Sequence, residues 1–215
     1  MVKGPVMLGY VSDGWGRIEF LDSMLNAVSG PEADPAIGGV ISSSAGPLLA
    51  LARNLLVKQF LDHDLEWLCS IDTDIVFASD AVGRLLESAD SVERPIMSAL
   101  YHVFHNGQKI PAVYLNTSEG SKLDIQPVRD IREDCVVRVF SVGAGCLLVH
   151  RSVFETIYKN AGEDNCWFRE GVMDKRDFGE DMSFCIRAAI SGFTVHVNTG
   201  VQVGHVKSAM LGRVR

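Results

Sequence analysis

Leu65-Glu66-Trp67-Leu68-Cys69-Ser70-Ile71-Asp72-Thr73-Asp74 is the stretch whose reading decides the fold. The segment from Leu65 to Ile71 is a short, largely apolar run of the kind that fills a buried strand of a parallel sheet. It stops on two aspartates separated by one residue. Open α/β sheets place their ligands at the carboxyl ends of such strands. With 16 aspartates in 215 residues, about one such pair is expected by chance. Asp62-His63-Asp64 serves as an internal control, because it lies in a helix-to-strand connection while Asp72 and Asp74 follow the strand itself. Two carboxylates at a strand end make a hard oxygen site suited to Mn²⁺ or Mg²⁺ and, through it, a diphosphate. The plainer alternative is a turn or helix-cap pair.

Working back from that strand, Pro47 is placed to open a helix carrying Leu48, Ala52, Leu55, Leu56 and Phe60 on one face, with Arg53 and Asn54 off the apolar stripe. Gly38 to Ser42 precedes it as another strand. The chain opens with an apolar strand from Val6 to Val11 and the glycine-rich loop Ser12-Asp13-Gly14-Trp15-Gly16. A helix follows whose buried stripe is expected to be Leu21, Met24, Leu25 and Val28.

Working forward, Ser79 and Asp80 cap a helix through Ser88, and strands follow at Pro95 to Leu100 and Ala112 to Leu115. Val136 to Phe140 and Gly145 to Val149 are strands flanking Ser141 to Ala144, and Ser152 is placed to cap a helix from Val153 to Lys159. Asn160 to Gly179 is polar and glycine-containing, with only Cys166, Trp167, Phe168, Val172, Met173 and Phe178 to anchor it, and reads as a mobile loop that would close over a site around Trp167 and Phe168 to exclude water. Glu180 and Asp181 open a helix, and Phe193, Val195 and Val197 alternate along the next strand. Gly204-His205-Val206 leads to a basic tail with Lys207, Arg213 and Arg215. Strands alternating with helices argue for one α/β domain with a mixed sheet flanked by helices.

Composition agrees with a folded domain: hydrophobic residues make up 47% and charged residues 22% of the chain. A net charge of -7 argues against nonspecific attraction to nucleic acid or anionic membranes, so bound phosphate needs local help. Five cysteines without C-x-x-C spacing read as thiols in a reducing compartment, and no apolar run reaches the length of a membrane span. The expected setting is therefore the cytoplasm.

Four further clusters carry candidate chemistry. Glu180-Asp181 sits at a helix start, where capping explains two carboxylates, yet the preceding loop makes either one a candidate general base toward a hydroxyl. His205 at a strand end is a structural histidine or a third metal ligand beside carboxylates. Gly143-Ala144-Gly145 is a turn or a place where a ligand approaches the backbone. Arg53 is a surface ion pair or the cation that helps offset a diphosphate. His196 reads as solvent-facing or structural, and His102 and His105 as substrate contacts.

Taken in order, these pieces resemble the nucleotide-sugar-dependent glycosyltransferases of the GT-A fold, family 2-like and of the compact bacteriophage-encoded type. The segments are ARNLLVKQFL (52–61), EWLCSIDTDIVF (66–77), SVGAGCLLVHRSVFE (141–155) and FGEDMSFCIRAAISGFTVHVNTGVQVGHV (178–206), with GYVSDGWGRIEFLDSML (9–25) a looser match. The resemblance implies a Rossmann-like mixed sheet spanning residues 1–215. Residues 1–100 would form mainly the nucleotide half, 101–206 the acceptor and metal-completing half, and 207–215 a tail. It implies Mn²⁺ or Mg²⁺ held by Asp72, Asp74 and His205, with Asp74 the direct ligand and Asp72 nearer the ribose. It places Val11, Ser12 and Asp13 at the nucleobase, Arg53 beside the nucleotide, and Gly143, Ala144 and Gly145 at the sugar. Asp181, next to Glu180, would be the base of an inverting transfer. The implied donor is a nucleotide-diphosphate sugar, UDP-linked before GDP-linked, and the acceptor a hydroxyl, with virion proteins of an infected host among the candidates. Acceptor recognition would rest on residues 160–179, on Tyr101 to Gln108, or on the partner of a homodimer. A nucleotidyltransferase and a noncatalytic nucleotide-sugar-binding protein are the alternatives.

Overall fold

In the computed structural model, residues 5–12, 14–105, 107–118, 124–164, 166–173 and 176–207 are described. The chain runs β1 (Val6–Val11), α1 (Ile18–Ser29), β2 (Ile37–Ser43), α2 (Leu49–Leu61), β3 (Trp67–Asp72), β4 (Ile75–Val76) and α3 (Ala81–Ser88). Next come β5 (Ile96–Leu100), β6 (His102–His105), β7 (Gln108–Pro111), β8 (Val113–Asn116), β9 (Ile125–Pro127), β10 (Val136–Val139), β11 (Ser141–Val142) and β12 (Cys146–His150). Last are α4 (Arg151–Ala161), β13 (Gly171–Met173), β14 (Arg176–Phe178), α5 (Glu180–Ile190), β15 (Val195–Gln202) and β16 (Gly204–His205).

Seven strands form one sheet in the order β10-β15-β5-β12-β3-β1-β2. β2, β1 and β3 are parallel, with Val11 level with Asp72. β12 enters antiparallel between β3 and β5, so the sheet is mixed as expected. Side chains alternate across it with the period of two that pleating dictates. Val6, Leu8, Cys69, Ile71, Cys146 and Leu148 join one core with residues of α1 and α3. Met7, Leu68, Leu147 and Val149 join a second core with residues of α2, α4 and α5. Burying both faces needs near-continuous apolar strands, which is why Trp67 to Ile71 carries no alternation. No helix among the described residues is long and apolar enough to cross a membrane.

Tertiary contacts rotate several elements away from their expected faces. α1 buries Phe20, Ser23, Met24 and Ala27, while Leu21, Leu25 and Val28 are 47%, 63% and 43% exposed. Phe20 selects that face by packing between Tyr10 and Phe77, at 5.6 and 6.4 Å between ring centroids, and the Phe77 amide donates to Ser23 Oγ at 3.1 Å. On α2, Leu48 and Leu55 are exposed, whereas Arg53 and Asn54, expected off the stripe, are buried. Asn54 is consumed by the backbone of Phe168, accepting from its N–H at 3.1 Å and donating to its carbonyl at 2.7 Å.

Two caps also differ. The side chain of His150, not Ser152, caps α4, accepting from the Ser152 amide. At α3 the Asp80 side chain makes no cap bond; buried Asp34 reaches across to accept from the Gly83 amide at 2.6 Å. A donor near a helix start needs an acceptor, and here a distant loop supplies it.

The candidate site at the sheet's carboxyl edge

Parallel strands β1 and β3 end side by side, and a cleft of about 620 Å³ opens beyond them. Val11 and Ser12 from the end of β1, Trp15 and Arg17 from the following loop, and Leu49 and Ala52 from the start of α2 line it, together with Asp72, Thr73 and Asp74. The Ser12 amide bonds the Ser43 carbonyl at 3.0 Å and the Arg17 amide bonds the Thr73 carbonyl at 3.1 Å, tying the loop to both neighbouring strand ends. Asp13 lies outside the described residues. Trp15, 82% exposed at the mouth of the cleft, carries no periodic signal in the sequence.

Arg53 welds the back of this site. Its Nη2 lies 2.9 and 3.0 Å from the two carboxylate oxygens of Asp72, and its Nε donates to Glu180 Oε1 at 3.2 Å. Burial alone would lower the guanidinium's affinity for its proton, but the two carboxylates outweigh it and hold the pKa above its ordinary value. Burial pushes Asp72 up from the usual carboxylate range, against the pull of Arg53, and Asp74 adds to the rise. Three segments far apart in sequence thus meet at one guanidinium, which brings Arg53, Asp72 and Glu180 of the expected set together. Asp181 follows Glu180 in the first turn of α5, where the helix dipole favours negative charge. Its carboxyl is raised by burial and then by Glu180. It does not line the cleft.

His205 reaches Asp74 because β16 pairs antiparallel with β4, setting His205 opposite Ile75. Its Nε2 lies 3.1 Å from Asp74 Oδ2 and its Nδ1 lies 3.0 Å from the carbonyl oxygen of His102. Tyr101 packs edge-on against the imidazole at 5.4 Å and 87°. Lys207 Nζ approaches the same Asp74 Oδ2 at 2.8 Å. Among the described residues no three His, Cys, Asp or Glu side chains form a cluster able to hold a metal ion. Asp74 and His205 are brought together, while Asp72 is turned to Arg53.

Gly143, Ala144 and Gly145 do not line the cleft; they are buried behind Tyr101. The Tyr101 hydroxyl accepts from the Gly145 amide at 3.2 Å, and the Gly145 carbonyl accepts from the Asp72 amide at 2.9 Å, so this turn fixes the aspartate's backbone. A Cβ at Gly143 would lie 2.0 Å from the Tyr101 hydroxyl. Gly143→Ala is therefore expected to cost about 1–3 kcal/mol, the usual range for overpacking. Urea denaturation with Tyr101→Phe in the same chain should recover part of the loss, since that change deletes the atom met first.

The expected loop over the site is differently built. Trp167 and Phe168 are only 2% and 4% exposed: the Trp167 indole donates to the Phe154 carbonyl at 2.8 Å, and Phe168 stacks on Phe184 at 4.7 Å. They anchor the α4–α5 connection in the core and cannot serve as a lid. Beyond them β13 and β14 form a hairpin. His102 contributes its carbonyl to His205, and His105 lies at the turn end of the β6–β7 hairpin. Tyr101, expected in an acceptor segment, and Lys207, expected in a basic tail, are instead partners of Gly145, His205 and Asp74. Lys207 stands two residues after His205, but only the β4–β16 pairing brings it to the carboxylate.

No protein-family model and no curated protein matches the sequence. Solved structures do match the fold. The crystal structure of A197 from STIV superposes with a TM-score of 0.64 at 16% identity, covering 95% of this chain and 86% of that one. The crystal structure of GalNAc-T7 with UDP, GalNAc and Mn²⁺ superposes with a TM-score of 0.62 at 12% identity, covering 96% of this chain. The chain spans 44% of the length of that GalNAc-T7 chain. The fold is that of the GT-A glycosyltransferases, a mixed sheet with helices on both faces.

Proposed function

We propose that this chain is a glycosyltransferase of the hexosyltransferase kind, moving a sugar from a nucleotide-diphosphate sugar to an acceptor hydroxyl. One observation carries the reading. Asp72 and Asp74 stand on the wall of a 620 Å³ cleft at the carboxyl ends of parallel strands, and His205 comes to Asp74 from 131 residues further along the chain. The GT-A fold supports it, and UDP in the GalNAc-T7 structure supports reading the donor as a UDP-sugar before a GDP-sugar.

Two donors, Asp74 and His205, support a divalent-cation reading of this corner of the site. His205 Nδ1 faces a carbonyl, which only accepts, so Nδ1 carries a proton. Nε2 then faces Asp74 Oδ2 at 3.1 Å, placed either to donate to it or to share a cation with it. Asp74 and His205, with Asp72 beside them, would hold Mn²⁺ or Mg²⁺; such ions are commonly bound by one or two carboxylates plus substrate phosphates and need no all-protein cage. When bound, the ion neutralises charge on the departing nucleoside diphosphate.

The chain's own residues do the rest. Val11 and Ser12 border the nucleobase end of the cleft, and Arg53 locks Asp72 in place. The Gly143 to Gly145 turn acts through the Asp72 backbone. Asp181 takes the proton from the attacking hydroxyl. Residues 1–100 thereby serve the donor, while 101–206 supply Asp181 and His205. Five cysteines, all free, support a cytoplasmic setting.

The test is binding and slow hydrolysis of UDP-, GDP-, dTDP- and CMP-sugars with Mn²⁺, Mg²⁺ or EDTA, alongside Asp74→Ala. One donor should be selected in a metal-dependent way, and EDTA or the substitution should abolish the signal. If no nucleotide sugar binds under any metal condition, the reading falls.

A further inference from the structure

Asp74 already holds a cation, and it is the chain's own. Lys207 Nζ sits 2.8 Å from Asp74 Oδ2, the oxygen that faces His205 Nε2 at 3.1 Å. The backbone builds this contact: His205 pairs with Ile75, and the Val206 amide donates to the Asp74 carbonyl at 2.8 Å, which directs the next side chain back over the carboxylate. Two cationic groups paired with the aspartates differ in freedom. Arg53 is buried and shared between Asp72 and Glu180, whereas the Lys207 side chain is 54% exposed on a flexible stem and can leave Asp74 for another anion. A divalent cation bound through Asp74 Oδ2 must take the oxygen that the ammonium occupies, and two cations on one oxygen repel. Asp74 also lines the cleft, so a diphosphate lying there presents fresh anionic oxygens within the same neighbourhood.

We propose that Lys207 is a tethered counter-ion that competes with the divalent cation for Asp74 and passes to the donor's diphosphate when cation and donor bind together. The proposal rests on the donor-site reading above. It makes Lys207 a device that couples the two binding events: the ammonium opposes the bare metal and favours the metal with a nucleoside diphosphate. Ordinary packing residues have no such pair of opposed effects.

The test is titration of the chain with Mn²⁺, followed by the EPR signal of the free ion, with and without UDP, for wild type, Lys207→Met and Asp74→Ala. Without UDP, Lys207→Met should bind Mn²⁺ roughly two- to fivefold more tightly, the scale of an exposed ion pair. With Mn²⁺ saturating, the same variant should bind UDP weaker by a similar factor. Thermal melting checks that the exposed side chain is dispensable for folding. Mn²⁺ affinity that is unchanged or weaker in Lys207→Met, with binding still lost in Asp74→Ala, overturns the counter-ion proposal and leaves the donor site standing. Mn²⁺ binding that is absent in wild type, or indifferent to Asp74→Ala, overturns both.

Discussion

Asp181→Asn is expected to lower sugar transfer by roughly 10²–10⁴-fold, the contribution of a positioned general base, while UDP and Mn²⁺ still bind. Asn keeps the size and the polar edge of the side chain but cannot accept the acceptor's proton. The pH profile gives the same prediction a sign. The base must be ionised to work, and burial followed by the Glu180 charge raises the Asp181 pKa. The acidic limb of kcat/KM should therefore lie above the aspartate reference near ~3.9. Glu180→Gln removes one raising charge and leaves Arg53, whose charge lowers the Asp181 pKa, with one carboxylate fewer to serve. Both changes move the limb to lower pH. Transfer by Asp181→Asn at the wild-type rate would remove Asp181 from the role.

Arg53→Met is expected to cost about 3–5 kcal/mol, because it strands carboxylates of which Asp72 is 26% and Glu180 15% exposed. In a chain of 215 residues that corresponds to a fall in Tm of roughly 10 °C. Arg53→Lys should recover little, since one ammonium cannot span the positions that Nη2 and Nε occupy. Adding Asp72→Asn and Glu180→Gln to Arg53→Met should return part of the stability, since the loss comes from unpaired charge. Equilibrium urea unfolding of the four chains decides it: a loss under about 1 kcal/mol for Arg53→Met would mean that water reaches the carboxylates and the weld is weak.

The layered α/β architecture was legible because it depends on near-neighbour patterning. Trp67 to Ile71, running apolar into Asp72 and Asp74, identified a central strand and its carboxyl end, and the alternation of strands and helices around it predicted a mixed sheet. What was not legible is set by contacts between distant segments. Leu21, Leu25 and Val28 form a better apolar stripe than Phe20, Ser23 and Ala27, yet the side chains of Tyr10 and Phe77 choose the second face. Arg53 and Asn54 look like surface residues until Asp72, Glu180 and Phe168 arrive to satisfy them. Trp167 and Phe168, expected both to anchor their polar stretch and to close it over the site, do the first alone, packed on the floor formed by Phe154 and Phe184. At the candidate site, the sequence pointed to Asp72, Asp74, Glu180, Asp181 and His205. The roles of Tyr101 and Lys207 needed the β4–β16 pairing and the turn at Gly145.

The division of the sheet into two cores has a practical consequence for watching this molecule move. Cys69 and Cys146 belong to the core beneath α1 and α3, Cys166 and Cys185 to the core beneath α2, α4 and α5, and Cys135 is half-exposed outside both. A thiol-labelling reagent therefore meets one accessible sulfur and two sequestered pairs. Each pair becomes reactive when its own layer opens, so mass-resolved alkylation times the breathing of the two faces separately, with no substitution introduced. The wild-type chain is its own two-channel clock.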